Sequence, residues 1–208
     1  MKIYRYRYKN KICWGVLKEE KLFAIDGSPF RKFEIKGEGV LASDATLLPP
    51  VEPSKIICVG VNYRDHAREM GRPLLEEPLI FLKPPSAVVG PNDIIVYPKM
   101  SKRVDYEGEL ALVIKKRAQN LGDEKDIEDY ILGYTCFNDV TARDLQQKDG
   151  QFTRAKSFDT FAPAGPCIVT DVDPSRLRLK TFLNGKLKQS AITSHLIFPV
   201  PFLVKYIS

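Results

Sequence analysis

Three carboxylates and a handful of polar neighbours carry the chemical potential of this chain. Glu107 and Glu109 flank Gly108 in Val104-Asp105-Tyr106-Glu107-Gly108-Glu109-Leu110-Ala111-Leu112-Val113-Ile114, a run that predicts a strand entering a core. Side chains alternate faces along a strand, so both glutamates point the same way. Gly108 leaves the backbone open to close approach. Paired carboxylates at a core strand repel each other and resist desolvation, and a bound cation relieves both costs. All-oxygen ligands favour a hard ion such as Mg²⁺, Mn²⁺ or Ca²⁺. Two solvated glutamates at an exposed strand end are the competing reading. Asp139, after the apolar strand Tyr134-Thr135-Cys136-Phe137, is the third carboxylate. On its own it reads as a turn or cap residue. Beside the glutamates it completes a cradle that leaves octahedral positions open for water and substrate oxygens.

Other residues could serve this cradle. His66 and Glu69 are spaced i, i+3 on a short predicted helix, so they share a face. A carboxylate beside a histidine orients the ring and raises its basicity, which suits a general base. A solvated surface pair fits the spacing equally. Lys156, in Arg154-Ala155-Lys156-Ser157-Phe158, and Lys83, after Ile80-Phe81-Leu82, could each hold a substrate carboxylate or an enolate oxygen. Arg143 and Gln146 follow Asp139 on a predicted helix and could reach the same ligand. Solvated loop lysines and a surface helix face are the alternatives. There is no G-x-S-x-G elbow, phosphate-binding glycine loop or dinucleotide fingerprint, so serine-triad and NAD chemistry have no support.

The elements that must position these residues are mainly strands with short helices between them. Residues 1–50 predict a small β unit: Tyr4, Tyr6 and Tyr8 alternate with Arg5, Arg7 and Lys9, Asn10-Lys11 turns the chain, and further strands follow at 12–17 and 21–25. Pro49-Pro50-Val51-Glu52-Pro53 predicts a stiff linker and a domain boundary. Lys55–Val61 is nearly continuous in apolar residues, the pattern of a buried strand. Asp65 is a candidate N-cap for a helix over 66–70 that stops at Gly71. Strands are predicted at 79–82 and 133–137, helices at 126–132 and 202–208, and a capping box at Thr141 opens a helix through Gln147. Asn184-Gly185 signals a tight hairpin. Regular βαβ alternation is missing, so the fold class is α+β and mainly β.

Composition narrows the partners. At 208 residues the chain can bury a full core. The net charge of +6 arises from basic residues interleaved with acidic ones, which argues against nucleic acid. No apolar run spans a membrane, and the N-terminus lacks the apolar core of a signal peptide, which predicts a cytoplasmic location. Cys13, Cys58, Cys136 and Cys167 form no C-x-x-C pair and read as reduced, apolar fillers. Two histidines are too few for a histidine-rich zinc site.

Five ordered strings together carry a resemblance: Ile57-Cys58-Val59-Gly60-Val61-Asn62-Tyr63-Arg64-Asp65-His66, Phe81-Leu82-Lys83-Pro84-Pro85-Ser86, Tyr106-Glu107-Gly108-Glu109-Leu110, Asn138-Asp139-Val140-Thr141-Ala142-Arg143-Asp144-Leu145-Gln146, and Ala155-Lys156-Ser157-Phe158-Asp159. From about residue 54 onward the chain closely resembles the fumarylacetoacetate hydrolase family. The resemblance implies a mixed β-roll over 54–208 behind the small N-terminal unit, a homodimer, and one Mg²⁺ or Mn²⁺ per site. By motif matching the metal carboxylates are Glu107, Glu109 and Asp139. The catalytic pair is His66 and Glu69 on a lid helix, Lys156 is the catalytic lysine, and Gln146 contacts substrate. Members normally continue past the helix ending at Ser208 into a Gly-Thr-Pro loop whose threonine contacts substrate. This chain stops before that loop, so a C-terminal truncation is the expectation.

The implied function is a metal-dependent enzyme acting on 2-oxo or 2-hydroxy-diene acids through an enolate. Isomerase or decarboxylase action on hydroxymuconate-type diacids, and C–C bond hydrolysis of acylpyruvates, are the leading forms. Oxaloacetate decarboxylation, sugar-acid dehydration and a non-catalytic binding module are the alternatives.

Overall fold

The structure is a computed structural model, and it describes residues 1–69, 71, 73–122 and 126–208, without the side chains of His66 and Ala67. The elements in chain order are β1 (Lys2–Tyr8), β2 (Lys11–Lys18), β3 (Lys21–Gly27), β4 (Phe33–Ile35), β5 (Val40–Leu41), β6 (Thr46–Leu47), β7 (Ile56–Gly60), α1 (Arg64–Glu69), β8 (Leu79–Lys83), β9 (Val88–Val89), β10 (Val104–Asp105), β11 (Gly108–Ile114), β12 (Ile131–Asn138), β13 (Thr141–Ala142), α2 (Arg143–Asp149), α3 (Thr153–Lys156), β14 (Ala162–Val169), β15 (Arg178–Leu183), β16 (Lys186–Ile192) and α4 (Val200–Ile207). The fold is mainly β, as the patterning predicts.

One large sheet runs in the order β11-β12-β14-β1-β2-β3-β4, with β5, β6 and β9 attached to β3, β1 and β14. Most pairs are antiparallel, while β9 joins β14 in parallel, so the sheet is mixed. β7–β8, β10–β13 and β15–β16 form separate two-stranded units. The N-terminal strands belong to the large sheet, because β1 pairs with β14 through Lys2↔Val169 and Ile3↔Ile168. Among the described residues no helix is long and apolar enough to cross a membrane.

The tyrosine–arginine alternation of β1 does not produce one wet face. Ile3, Tyr4, Arg5 and Tyr6 are all buried. β1 lies inside the sheet, between β14 and β2, and has cover on both faces. Arg5 meets this by pairing with Glu52 in the proline-rich linker. The β1–β2 turn takes left-handed backbone at Lys9 (φ 46°) and Asn10 (φ 61°), one residue earlier than the predicted Asn10-Lys11, and the β15–β16 turn takes it at Asn184 and Gly185, as predicted.

Three local expectations shift. α1 begins at Arg64, so Asp65 sits in its first turn rather than capping it; Met70, in the predicted span, lies outside the described residues. The predicted helix at 126–132 is one 3-10 turn, Ile127–Tyr130, capped by Asp126, after which the chain enters β12. Ile131 and Tyr134 are drawn into a core with Val200 and Val204 of α4, and that tertiary packing favours the strand. The capping box at Thr141 does not form. Thr141–Ala142 are a strand, and α2 starts at Arg143 without a side-chain cap.

Candidate active site

Backbone pairing brings the three carboxylates together. β11 and β12 are antiparallel, with Gly108 opposite Asn138. Just beyond that pair the chains are cross-braced: Glu107 N donates to Asn138 Oδ1 at 2.9 Å, and Asp139 N donates to Glu107 O at 2.9 Å. Oxygen atoms of Glu107, Glu109 and Asp139 consequently lie within 4.8 Å of one another. Like charges at such separations repel by about 3 kcal/mol per pair at an effective dielectric near 20. Gly108 is needed between the glutamates because a Cβ there would lie 2.2 Å from Thr181 Oγ1. The close approach is made by the β15–β16 hairpin, whose Gln189 Oε1 also accepts from Gly108 N at 2.9 Å.

Three cations answer the carboxylates. Lys83, at the end of β8, is 1% exposed and donates to Asp139 Oδ1 at 2.6 Å and Val140 O at 3.1 Å. Lys156, at the end of α3, bridges Asp139 Oδ2 and Glu107 Oε1, and its ammonium sits 4.9 Å above the Phe81 ring. Phe152 braces that ring edge-on at 5.3 Å. Arg143, at the start of α2, donates to Glu107 Oε1, to Asp105 Oδ2 at 3.0 Å and to Gln146 Oε1 at 2.6 Å. Thr141 Oγ1 donates to Glu107 Oε1 at 2.7 Å. Thr141 is paired with Asp105 as a strand and lies one residue before the N-cap position of α2, which accounts for the missing helix cap.

The cluster divides the carboxylates electrostatically. Burial pushes the Glu107 carboxyl up, but Lys156, Arg143 and the Thr141 hydrogen bond outweigh it and hold the group below the usual carboxylate range. Glu109 accepts no hydrogen bond among the described residues. Burial, with the charges of Asp139 and Glu107, raises it well above its ordinary value. Burial also lowers Lys83 despite its Asp139 partner, and raises the Cys58 thiol with help from Asp139 and Glu109. The Tyr63 hydroxyl is pushed up to about 12, first by burial and then by Glu109.

A cleft of about 800 Å³ opens over the cluster and is lined by Glu107, Glu109, Asp139, Arg143, Gln146 and Lys156 among others. Six of the nine residues singled out by sequence thus meet at one cavity. Lys83 lies behind Asp139 and is not part of the lining. Glu69 is exposed on α1. The His66 side chain lies outside the described residues. Sequence reasoning passed over Asp105, Tyr63 and Thr141. Asp105 was findable, because it stands two residues before Glu107 on the same strand face and so shares Arg143 with it. Tyr63 and Thr141 carried no distinguishing local signal.

Residues 55–208 match the description Fumarylacetoacetate (FAA) hydrolase C-terminal, and residues 1–50 match Rv2993c-like, N-terminal. The chain belongs to the fumarylacetoacetate hydrolase family. A 5-carboxymethyl-2-hydroxymuconate delta-isomerase from Mycobacterium smegmatis has the same fold, with TM-score 0.92 and 39% identity over 100% of this chain and 82% of that one. The oxaloacetate tautomerase YisK of Bacillus subtilis is 44% identical over 174 residues, 80% of this chain and 58% of its own length. A maleylpyruvate hydrolase from Sphingobium, solved with manganese(II) and pyruvate, matches with TM-score 0.80 and 28% identity over 100% of this chain and 83% of that one.

The donor set fits the divalent ion of such an enzyme. Ligand oxygens about 2.1 Å from a common Mg²⁺ stand roughly 3–4 Å apart. Carboxylates already within 4.8 Å need only small side-chain adjustments to reach that spacing. An all-oxygen cluster selects a hard cation over zinc or copper.

Proposed function

We propose that this family member is a Mg²⁺- or Mn²⁺-dependent enzyme that moves a proton next to the carbonyl of a 2-oxo diacid, as an isomerase or tautomerase. The carrying observation is the carboxylate triad crossed by Lys156 at the wall of an open cleft. When bound by Glu107, Glu109 and Asp139, the ion would supply Lewis-acid polarisation of the 2-oxo and carboxylate oxygens. Lys156 Nζ presents a fixed positive charge to the developing enolate oxygen, and the Phe81 ring keeps that ammonium in place. Arg143 holds Gln146 by its Oε1, which directs the free Gln146 amide toward the ligand. Lys83 acts as a positioning residue by fixing one oxygen of Asp139. His66, oriented by Glu69, is assigned the proton shuttle by motif matching alone.

The compounds named for the Mycobacterium isomerase and the Bacillus tautomerase, 5-carboxymethyl-2-hydroxymuconate and oxaloacetate, carry more than one carboxylate, which supports a diacid. The activities named for the Mycobacterium isomerase and the Bacillus tautomerase both relocate a proton. C–C bond hydrolysis, as in the Sphingobium relative, is the second reading.

The test is a panel of oxaloacetate, 2-hydroxyhepta-2,4-dienedioate and an acylpyruvate with Mg²⁺, followed by ultraviolet change of the enol and by product analysis. Diacid tautomerisation or isomerisation is expected, and Glu107→Gln should remove the metal-dependent part. Cleavage of acylpyruvate alone would favour the hydrolase. Unchanged turnover in Glu107→Gln, or no metal-induced rise in melting temperature, would sink the reading.

A further inference from the structure

The segment that leads from β7 into α1 is pinned to the chain just ahead of α4. β7 ends at Gly60, and Val61 then takes left-handed backbone at φ 53°. A β-branched residue is a true outlier there, because its Cβ crowds the neighbouring backbone. Such strain persists only where the surroundings over-determine it, and it gathers at functional sites. Val61, Asn62 and Tyr63 line the cleft, and α1 starts at the next residue, Arg64.

The pin is Asn62. Its Nδ2 donates to Phe198 O at 3.1 Å and its Oδ1 accepts from Phe198 N at 2.8 Å, so one side chain engages both backbone groups of one residue. Its own carbonyl accepts from Ile197 N at 2.8 Å. A carboxamide suits this role, because it offers a donor and an acceptor on one short side chain. Two neighbouring contacts join the same segments: an antiparallel bridge between Tyr63 and Leu196, and a 2.9 Å contact between Asp65 Oδ2 and His195 Nδ1. The far side is firm. Phe198 is buried with its ring stacked on Phe202 of α4, and buried Thr193 hydrogen-bonds Leu177 through both its N–H and its hydroxyl. The near side has little support of its own. α1 has six residues, too few to be stable alone, and Arg64, Asp65, Arg68 and Glu69 are exposed.

We infer that Asn62 is a positioning residue: by clamping Phe198 it holds the strained turn at Val61 and so fixes where α1 stands beside the cleft. Both polar atoms of its side chain are committed to Phe198, so it acts through α1 and not on the ligand. The clamp is independent of the reaction. Its effect on turnover rests on the proposed function, in which His66 and Glu69 of α1 move the proton.

Trypsin reads the clamp without any turnover. Cleavage after Arg64 and Arg68 requires α1 to open locally, and cleavage after exposed Lys186 at the start of β16 is the internal reference. In Asn62→Ala the ratio of the two should rise about tenfold or more. Asn62→Asp keeps the acceptor for Phe198 N but sets a carboxylate against Phe198 O. It should give a smaller rise, and it carries the test if the alanine variant does not fold. An unchanged ratio in the folded variants overturns the clamp. On the diacid that wild type turns over fastest, kcat should fall roughly tenfold or more, because a small misplacement of a reacting group is enough for that. KM and Mn²⁺ affinity should stay near their wild-type values. A raised ratio with unchanged kcat overturns the positioning role, and so do parallel losses of kcat and Mn²⁺ affinity, which mark a general loosening of the site. A wild type inactive on every diacid defeats the proposed function instead, and the proteolysis ratio then decides the clamp by itself.

Discussion

The two walls of the cleft are built on opposite terms. On one, β13, α2, α3 and the end of β8 hold Glu107 and Asp139 in a network that engages Lys83, Thr141, Arg143 and Lys156. On the other, residues of β7 and β11 line the cleft, each strand paired with a single neighbour among the described residues, and the Tyr63 and Thr135 hydroxyls have no partner among them. Glu109 stands at the junction, drawn into the carboxylate cluster, and its carboxylate accepts no hydrogen bond among the described residues. The first wall is fixed before any ligand arrives, which is what electrostatic preorganisation requires. The second leaves two buried hydroxyls without a partner among the described residues.

The strongest way to break the first wall is Asp139→Ala. It strands two buried lysines, whose side chains are 0% and 3% exposed. Removing one member of a buried charge network costs about 3–5 kcal/mol. Urea unfolding should show a loss of that size together with loss of metal binding; a loss under 1 kcal/mol would mean the lysines find other partners.

A smaller effect is expected from Glu109→Gln, and its sign depends on pH. The Glu109 carboxyl is raised above its ordinary value near 4.5, so between that value and its folded value the native state holds a proton the unfolded chain has released. Wild-type stability from this group therefore falls as pH rises through that window. In chelator-treated buffer the variant should gain on wild type as pH rises from 5 to 8. A difference independent of pH would show that Glu109 is not raised.

The smallest effect should come from the second wall. Tyr63→Phe removes a buried hydroxyl that has no partner among the described residues, so stability should not fall and should rise by about 1 kcal/mol. A loss above 1 kcal/mol would show that the hydroxyl is already paired in solution, and the contrast between the walls would disappear.

Much of this organisation was legible in the chain. The Glu107-Gly108-Glu109 spacing fixed a shared face because strand side chains alternate with period two. Asn184-Gly185 fixed a hairpin because only a few residues tolerate left-handed backbone. The nearly continuous apolar run at 55–61 announced a strand, β7. Tertiary structure decided the rest. Thr141 donates to Glu107 instead of capping a helix, because pairing with β10 holds 141–142 as a strand and moves the start of α2 to Arg143. Lys83 and Lys156 come from a strand end and a short helix far apart in the chain yet meet at Asp139, one sealed behind it and the other facing the cleft. Local patterning sets which face a side chain takes. Which charges share a buried volume is set by contacts between residues far apart in the chain, such as 83, 107, 139 and 156, and only the folded chain determines those.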